Sequence, residues 1–140
     1  MTPKEYLRQA YRLENEIKHE QDNLESIRSM LTSIRSPGFE EHYNPNRNTD
    51  ATFVTLLEKA FATEDRIGKK LIRLLDLRNE IQDTINTVED KDERLVLIYR
   101  YLDNESWADI GAYMCADPST VRRWHGKALL HIKLPKVEQV

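Results

Sequence analysis

Apolar residues at Ala10, Leu13, Ile17, Leu24, Ile27, Leu31 and Ile34 follow the alternating steps of three and four that mark one helical face, and they predict a long helix over residues 3–34. Only Glu20 breaks the series. Thr2 before Pro3, with Glu5 at the third helical position, supplies a start, and Ser36-Pro37-Gly38 a stop. The stretch FEEHYNPNRN has no apolar period and predicts a loop over about residues 35–48. A second long helix is predicted from about Asp50 to Val88, because Phe53, Ala60, Ile67, Leu74, Ile81 and Val88 recur every seventh residue. Leu57, Leu71 and Ile85 accompany them, and Glu64 and Arg78 are the polar exceptions. Two such helices joined by a loop fold back as an antiparallel hairpin. Tyr6, Leu7, Tyr11, Leu75 and Leu77 fall beside the seam, where a two-helix hairpin has nothing to cover them all.

The pattern then changes. Glu89-Asp90-Lys91-Asp92 punctuates the second helix, and Leu95, Ile98, Tyr99 and Leu102 predict a short third one. Ser106, three residues before Asp109, caps a helix over Trp107 to Met114, with Ile110 and Met114 inward and Gly111 leaving room for a close crossing. Cys115 to Asp117 make a short connection, and Asp117 and Pro118 suit the start of the next helix. There Val121, Trp124, Ala128, Leu129 and Ile132 form the apolar stripe and leave Ser119, Arg122, Arg123, Gly126 and Lys127 on the other side. Between Ser119 and Lys136 there is no Asp or Glu. A helix carrying hydroxyls at its start, then paired arginines, suits a DNA major groove, which admits one helix and offers guanine edges and phosphates to Arg. The expected fold is all-α: a helical hairpin over 1–89, a three-helix module of helix-turn-helix type over 90–133, and a frayed tail over 134–140.

The run from Arg94 to Ile132, with RLVLIYRYL, the SWADI helix and STVRRWHGKALLHI, resembles region 4 of sigma-70-type factors, the helix-turn-helix that reads a promoter element. The whole chain is similar to small phage and prophage proteins of Gram-positive bacteria, regarded as sigma-region-4-like regulators akin to activators of phage late genes. The resemblance implies DNA contacts from Ser119, Thr120, Arg122 and Arg123, with Lys127 on phosphate. It also exposes a departure, since such turns usually have Gly where this chain has Cys115. Either the backbone avoids a positive φ there, or Cys115 adopts one at some cost.

Composition narrows the setting. Of 140 residues, 32% are charged and 39% hydrophobic, and the four glycines are too few for a loop-rich all-β protein. At a net charge of −3 the chain is no polycation, so nucleic-acid binding requires a local patch, which the last helix supplies. One cysteine excludes an internal disulfide and fits a reducing cytosol. No apolar run approaches the roughly 20 residues that span a bilayer, and the first residues are too charged for a signal peptide, so a cytoplasmic protein without a membrane partner is expected.

Candidate chemistry is sparse. Cys115, His125 and His131 are near in sequence but fall short of a four-ligand zinc site, and nothing in the sequence supplies an activating base for Cys115. Glu40, Glu41 and His42 lie in the expected loop, which offers no fixed geometry for acid–base work. Trp107 and Trp124 are expected as core anchors, His125 beside Trp124, and His131 as a solvated residue. No enzymatic activity, cofactor, metal or small-molecule substrate is therefore expected. The expected function is sequence-specific regulation of phage or prophage genes through double-stranded DNA. A complete sigma factor also needs a part that melts promoter DNA, for which these long helices leave no room, so the protein is expected to act with host RNA polymerase. It is further expected to form a homo-oligomer, most simply a dimer, through residues 3–88. The alternatives are a DNA-recognition subunit of phage packaging, like a small terminase subunit, and a helical adaptor that binds polymerase without its own DNA site.

Overall fold

The computed structural model describes residues 1–34 and 49–135. The expected loop, its Glu40-Glu41-His42 cluster and the tail beyond residue 135 lie outside the described residues. Every element among the described residues is helical: α1 (Pro3–Leu7), α2 (Gln9–Ile34), α3 (Thr49–Ile85), α4 (Lys91–Leu97), a π-helical turn (Ile98–Leu102), α5 (Trp107–Met114) and α6 (Pro118–His131). None is long and apolar enough to cross a membrane.

The N-terminal start forms as a reciprocal capping box. Glu5 N–H donates to Thr2 Oγ1 at 3.2 Å, and Thr2 N–H donates to Glu5 Oε2 at 3.1 Å. The predicted single helix over 3–34 is interrupted at Arg8, whose φ of −76° and ψ of −8° tighten the backbone. The break is slight, because Arg8 N–H still reaches Lys4 O and Arg12 N–H reaches Arg8 O, both at 3.1 Å. The second long helix ends at Ile85, short of the predicted Val88. There Thr87 turns the chain: its N–H and hydroxyl both donate to Thr84 O, at 3.1 and 2.7 Å. That three-residue closure replaces the next α-helical bond.

Two compact units divide the chain, Asn15–Ile72 and the combination of Met1–Glu14 with Arg73–Val140. This division runs through α2 and α3 and differs from the 89/90 boundary that sequence punctuation suggests. In the first unit Leu24, Ile27, Ala60 and Ile67 form a buried cluster with Leu31 and Leu56 against it. Ion pairs flank this seam in antiparallel order: Glu16 with Lys70, Glu20 with Arg66, and Arg28 with Glu64 at 2.8 Å. Glu20 and Glu64, two breaks in the apolar series, thus sit opposite arginines. The Arg66 hydrogen bond, helped by Lys70, holds the Glu20 carboxyl below its ordinary pKa. Most of these charges stay open to solvent, which screens the pairs, and their antiparallel order follows that of the apolar seam.

The second unit draws its core from three parts of the chain. Leu7 and Ala10, then Ile81, Ile85 and Val88, then Leu97, Tyr101, Leu102, Ala128 and Ile132 make one buried cluster. Arg78, the third polar exception, bonds Glu14 at 3.0 Å and the Leu102 carbonyl at 2.8 Å. Tyr6 and Leu7, expected to lack cover within one chain, are 9% and 0% exposed here, and Tyr6 OH lies 3.1 Å from Thr84 Oγ1. Leu77 is half-buried, whereas Tyr11 and Leu75 are exposed as expected. A smaller cluster of Val96, Ile110 and Val121, with Trp107 and Trp124 packed on it, ties α4, α5 and α6 together. Leu95, predicted to face inward, is exposed, because burial passes from Val96 and Leu97 to Tyr101 and Leu102. The π-turn explains that step of five: Asp103 N–H bonds Ile98 O at 3.0 Å, one residue beyond α-helical reach.

Candidate nucleic-acid interface

The sequence-predicted contact residues all lie on α6, and the preceding turn sets where that helix begins. Ser106 Oγ accepts Asp109 N–H at 3.1 Å and starts α5. At its other end Cys115 adopts a left-handed conformation, φ 53° and ψ 42°. Ala116 N–H reaches back to Gly111 O at 2.9 Å and Cys115 N–H to Ala112 O at 3.4 Å, the paired bonds of a Schellman closure. Of the two possibilities for Cys115, a positive φ at some cost is the one found.

Asp117 then caps α6. Its Oδ1 accepts Ser119 N–H at 2.9 Å and the Ser119 hydroxyl at 2.6 Å. Those two hydrogen bonds, the hydroxyl's first, together with the nearby Arg122 charge, hold the Asp117 carboxyl below the usual carboxylate range. Ser119 is exposed, yet its only hydroxyl proton is engaged by the cap. Thr120 is half-buried. Arg122, Arg123 and Lys127 are exposed and form no side-chain hydrogen bond or ion pair with the described residues, while Val121 and Ala128 on the inner side are fully buried. The helix thus presents three available cations outward and anchors its other face in two core clusters.

Both histidines have partners that the sequence did not show. His131 is exposed, as expected, and its Nδ1 also lies 2.7 Å from the buried Glu93 carboxylate. His125 is half-buried against Trp107, ring centroids 4.9 Å apart, and its Nε2 lies 2.7 Å from Tyr101 OH. Burial, then the charges of Lys4, Arg100 and Arg8, pull His125 down to about 4, so its ring is neutral at neutral pH. Burial also pushes the Tyr101 phenol up. These basic neighbours were missed in the sequence. The i, i+4 and i+8 spacing of Lys4, Arg8 and Arg12 was a visible signal, but nothing local connected it to Arg100. No group of three His, Cys, Asp or Glu among the described residues could hold a metal ion. In comparisons with known proteins the chain matches no family model, no curated protein and no solved structure.

Proposed function

We propose that the protein is a sequence-specific DNA-binding regulator of phage or prophage transcription that acts with host RNA polymerase, with residues 90–133 forming a sigma-region-4-like helix-turn-helix. The observation that carries this reading is the outer side of α6, where Arg122, Arg123 and Lys127 stand exposed after a tight capped turn, with no side-chain hydrogen bond or ion pair to the described residues. Such a helix can enter a major groove with its arginines on base edges or phosphates. Ser119 contributes to the reading mainly as the cap partner of Asp117. The phage setting rests on the sequence resemblance alone.

Footprinting on the genome that encodes the protein, with and without polymerase, tests this reading. Protection at promoters is the expected result; protection confined to a packaging start would favour the packaging subunit, and binding only with polymerase the adaptor. Changing Arg122 and Arg123 together to Ala is expected to abolish specific binding, since each base-directed Arg contributes about 1–3 kcal/mol. Thermal melting should be nearly unchanged, because both side chains are exposed. An unaltered footprint would remove α6 as the reading helix.

Paired half-sites call for a dimer, and self-association through residues 3–88 is part of the proposal. Val54, Phe61 and Ile72, all on α3 in the 15–72 unit, are 50%, 63% and 66% exposed and offer apolar surface to a second copy. Sedimentation at micromolar concentration should give about twice the chain mass of 16.5 kDa. A monomer would refute the dimer.

A further inference from the structure

A second concentration of positive charge lies apart from the outer side of α6, and it is concave. Lys4, Arg8 and Arg12, spaced four residues apart, share one side of the N-terminal segment and line a cavity of about 540 Å³ together with Arg100 of the π-turn. Lys4, Arg8 and Arg12 make no side-chain hydrogen bond or ion pair with the described residues; Arg100 donates to the Glu105 carbonyl at 3.0 Å and stacks 4.3 Å from the Trp107 ring centroid. No Asp or Glu is among the described lining residues. Glu14, which accepts the amide of the lining Asn104 at 2.8 Å, is already paired with Arg78. Like charges gathered around one space repel, and an anion placed among them relieves that repulsion.

The rest of the lining is aromatic: Tyr11, Tyr101, Trp107 and His125. Tyr101 and His125 stack with centroids 5.6 Å apart, and their 2.7 Å hydrogen bond fixes both rings. His125 is held neutral by its burial and by Lys4, Arg100 and Arg8, so it adds a ring face and no fifth charge.

We propose that this cavity binds a nucleotide, its phosphates held by Lys4, Arg8, Arg12 and Arg100 and its base lying against the aromatic lining. The cavity volume falls within the roughly 300–1,000 Å³ typical of small-ligand sites. Guanidinium groups match phosphate oxygens in pairs, and aromatic side chains receive a base by stacking. A duplex backbone presents phosphates along a ridge with its bases paired inside, and so uses the cations but leaves the aromatic lining unfilled. The proposal is independent of the DNA reading on α6.

Titration calorimetry of the full chain in phosphate-free buffer at fixed ionic strength, with adenosine triphosphate, inorganic pyrophosphate, adenosine and a random-sequence duplex, tests it. Adenosine triphosphate is expected to bind saturably and more tightly than pyrophosphate or adenosine. Arg8→Ala and Arg12→Ala are each expected to weaken it about tenfold or more, with unchanged thermal melting because both residues are exposed. The Arg122→Ala and Arg123→Ala pair should leave nucleotide affinity intact, which separates this site from the DNA reading. Absence of saturable nucleotide binding, nucleotide affinity indifferent to Arg8→Ala and Arg12→Ala, pyrophosphate or adenosine binding as tightly as the nucleotide, or loss of duplex affinity alone in those variants would each overturn the proposal.

Discussion

Alanine at Gly111 is expected to lower the melting temperature by several degrees and to loosen the turn between α5 and α6. A Cβ there would lie 2.7 Å from the Ala116 carbonyl oxygen and 3.5 and 3.6 Å from Pro118 N and Cδ. The obstructing atom is backbone, and it belongs to a turn held by the Ala116 N–H bond to Gly111 O and by Pro118 at the start of α6. Ala gains about 1 kcal/mol over Gly in a helix interior. Overpacking against fixed atoms costs about 1–3 kcal/mol or more, and here it also disturbs a Schellman closure. The steric term should win, with a net loss of about 2 kcal/mol readable by circular dichroism melting. Cys115→Gly in the same turn is the control with the opposite sign. It removes a left-handed non-glycine residue and should be neutral or stabilising by at most about 1 kcal/mol. A neutral Gly111→Ala would mean that the turn has another geometry.

The long helices and the α5–α6 pair were legible in the sequence because their determinants are local: sevenfold apolar spacing, a Thr2 capping box, Ser106 and Asp117 caps, and Pro118 at a helix start. The polar exceptions Glu20, Glu64 and Arg78 were visible as anomalies, but their partners Arg66, Arg28 and Glu14 lie on the facing helix and only folding identifies them. Leu95 was misassigned for a different reason. A π-turn shifts the burial step to five, and neither α-helical nor strand periodicity anticipates it. For the site, exposure of Arg122, Arg123 and Lys127 followed from the apolar stripe, whereas the engagement of the Ser119 hydroxyl by its own cap did not. Lys4, Arg8 and Arg12 share one helical side in the sequence, but only the folded chain brings Arg100 and four aromatic rings to the same cavity.

A fragment beginning at Asp90 is expected not to fold by itself, although the sequence marks residues 90–133 as a module. Leu97, Tyr101, Leu102, Ala128 and Ile132 are at most 8% exposed in the intact chain, and they share their cluster with Leu7 and Ala10 and with Ile81, Ile85 and Val88. Cutting at Asp90 removes all five of these partners and also the Thr87 hydroxyl that accepts Lys133 N–H at 3.0 Å. Each fully buried large side chain contributes about 1.5–3 kcal/mol, so the lost burial is comparable with the entire stability of a small domain, about 5–15 kcal/mol. The remaining cluster of Val96, Ile110 and Val121 is too small to replace it. Circular dichroism should therefore show the fragment largely unfolded, with no cooperative melt. In the full chain Leu7→Ala should cost about 2–5 kcal/mol, as expected for a cavity at a residue of 0% exposure. The two measurements separate the possibilities. A cooperatively melting fragment together with a mild Leu7→Ala would show that residues 90–133 fold alone and that the N-terminal segment merely docks. An unfolded fragment with a costly Leu7→Ala would establish that residues 1–14 and 73–89 are part of the same folding unit as the helix that carries Arg122 and Arg123.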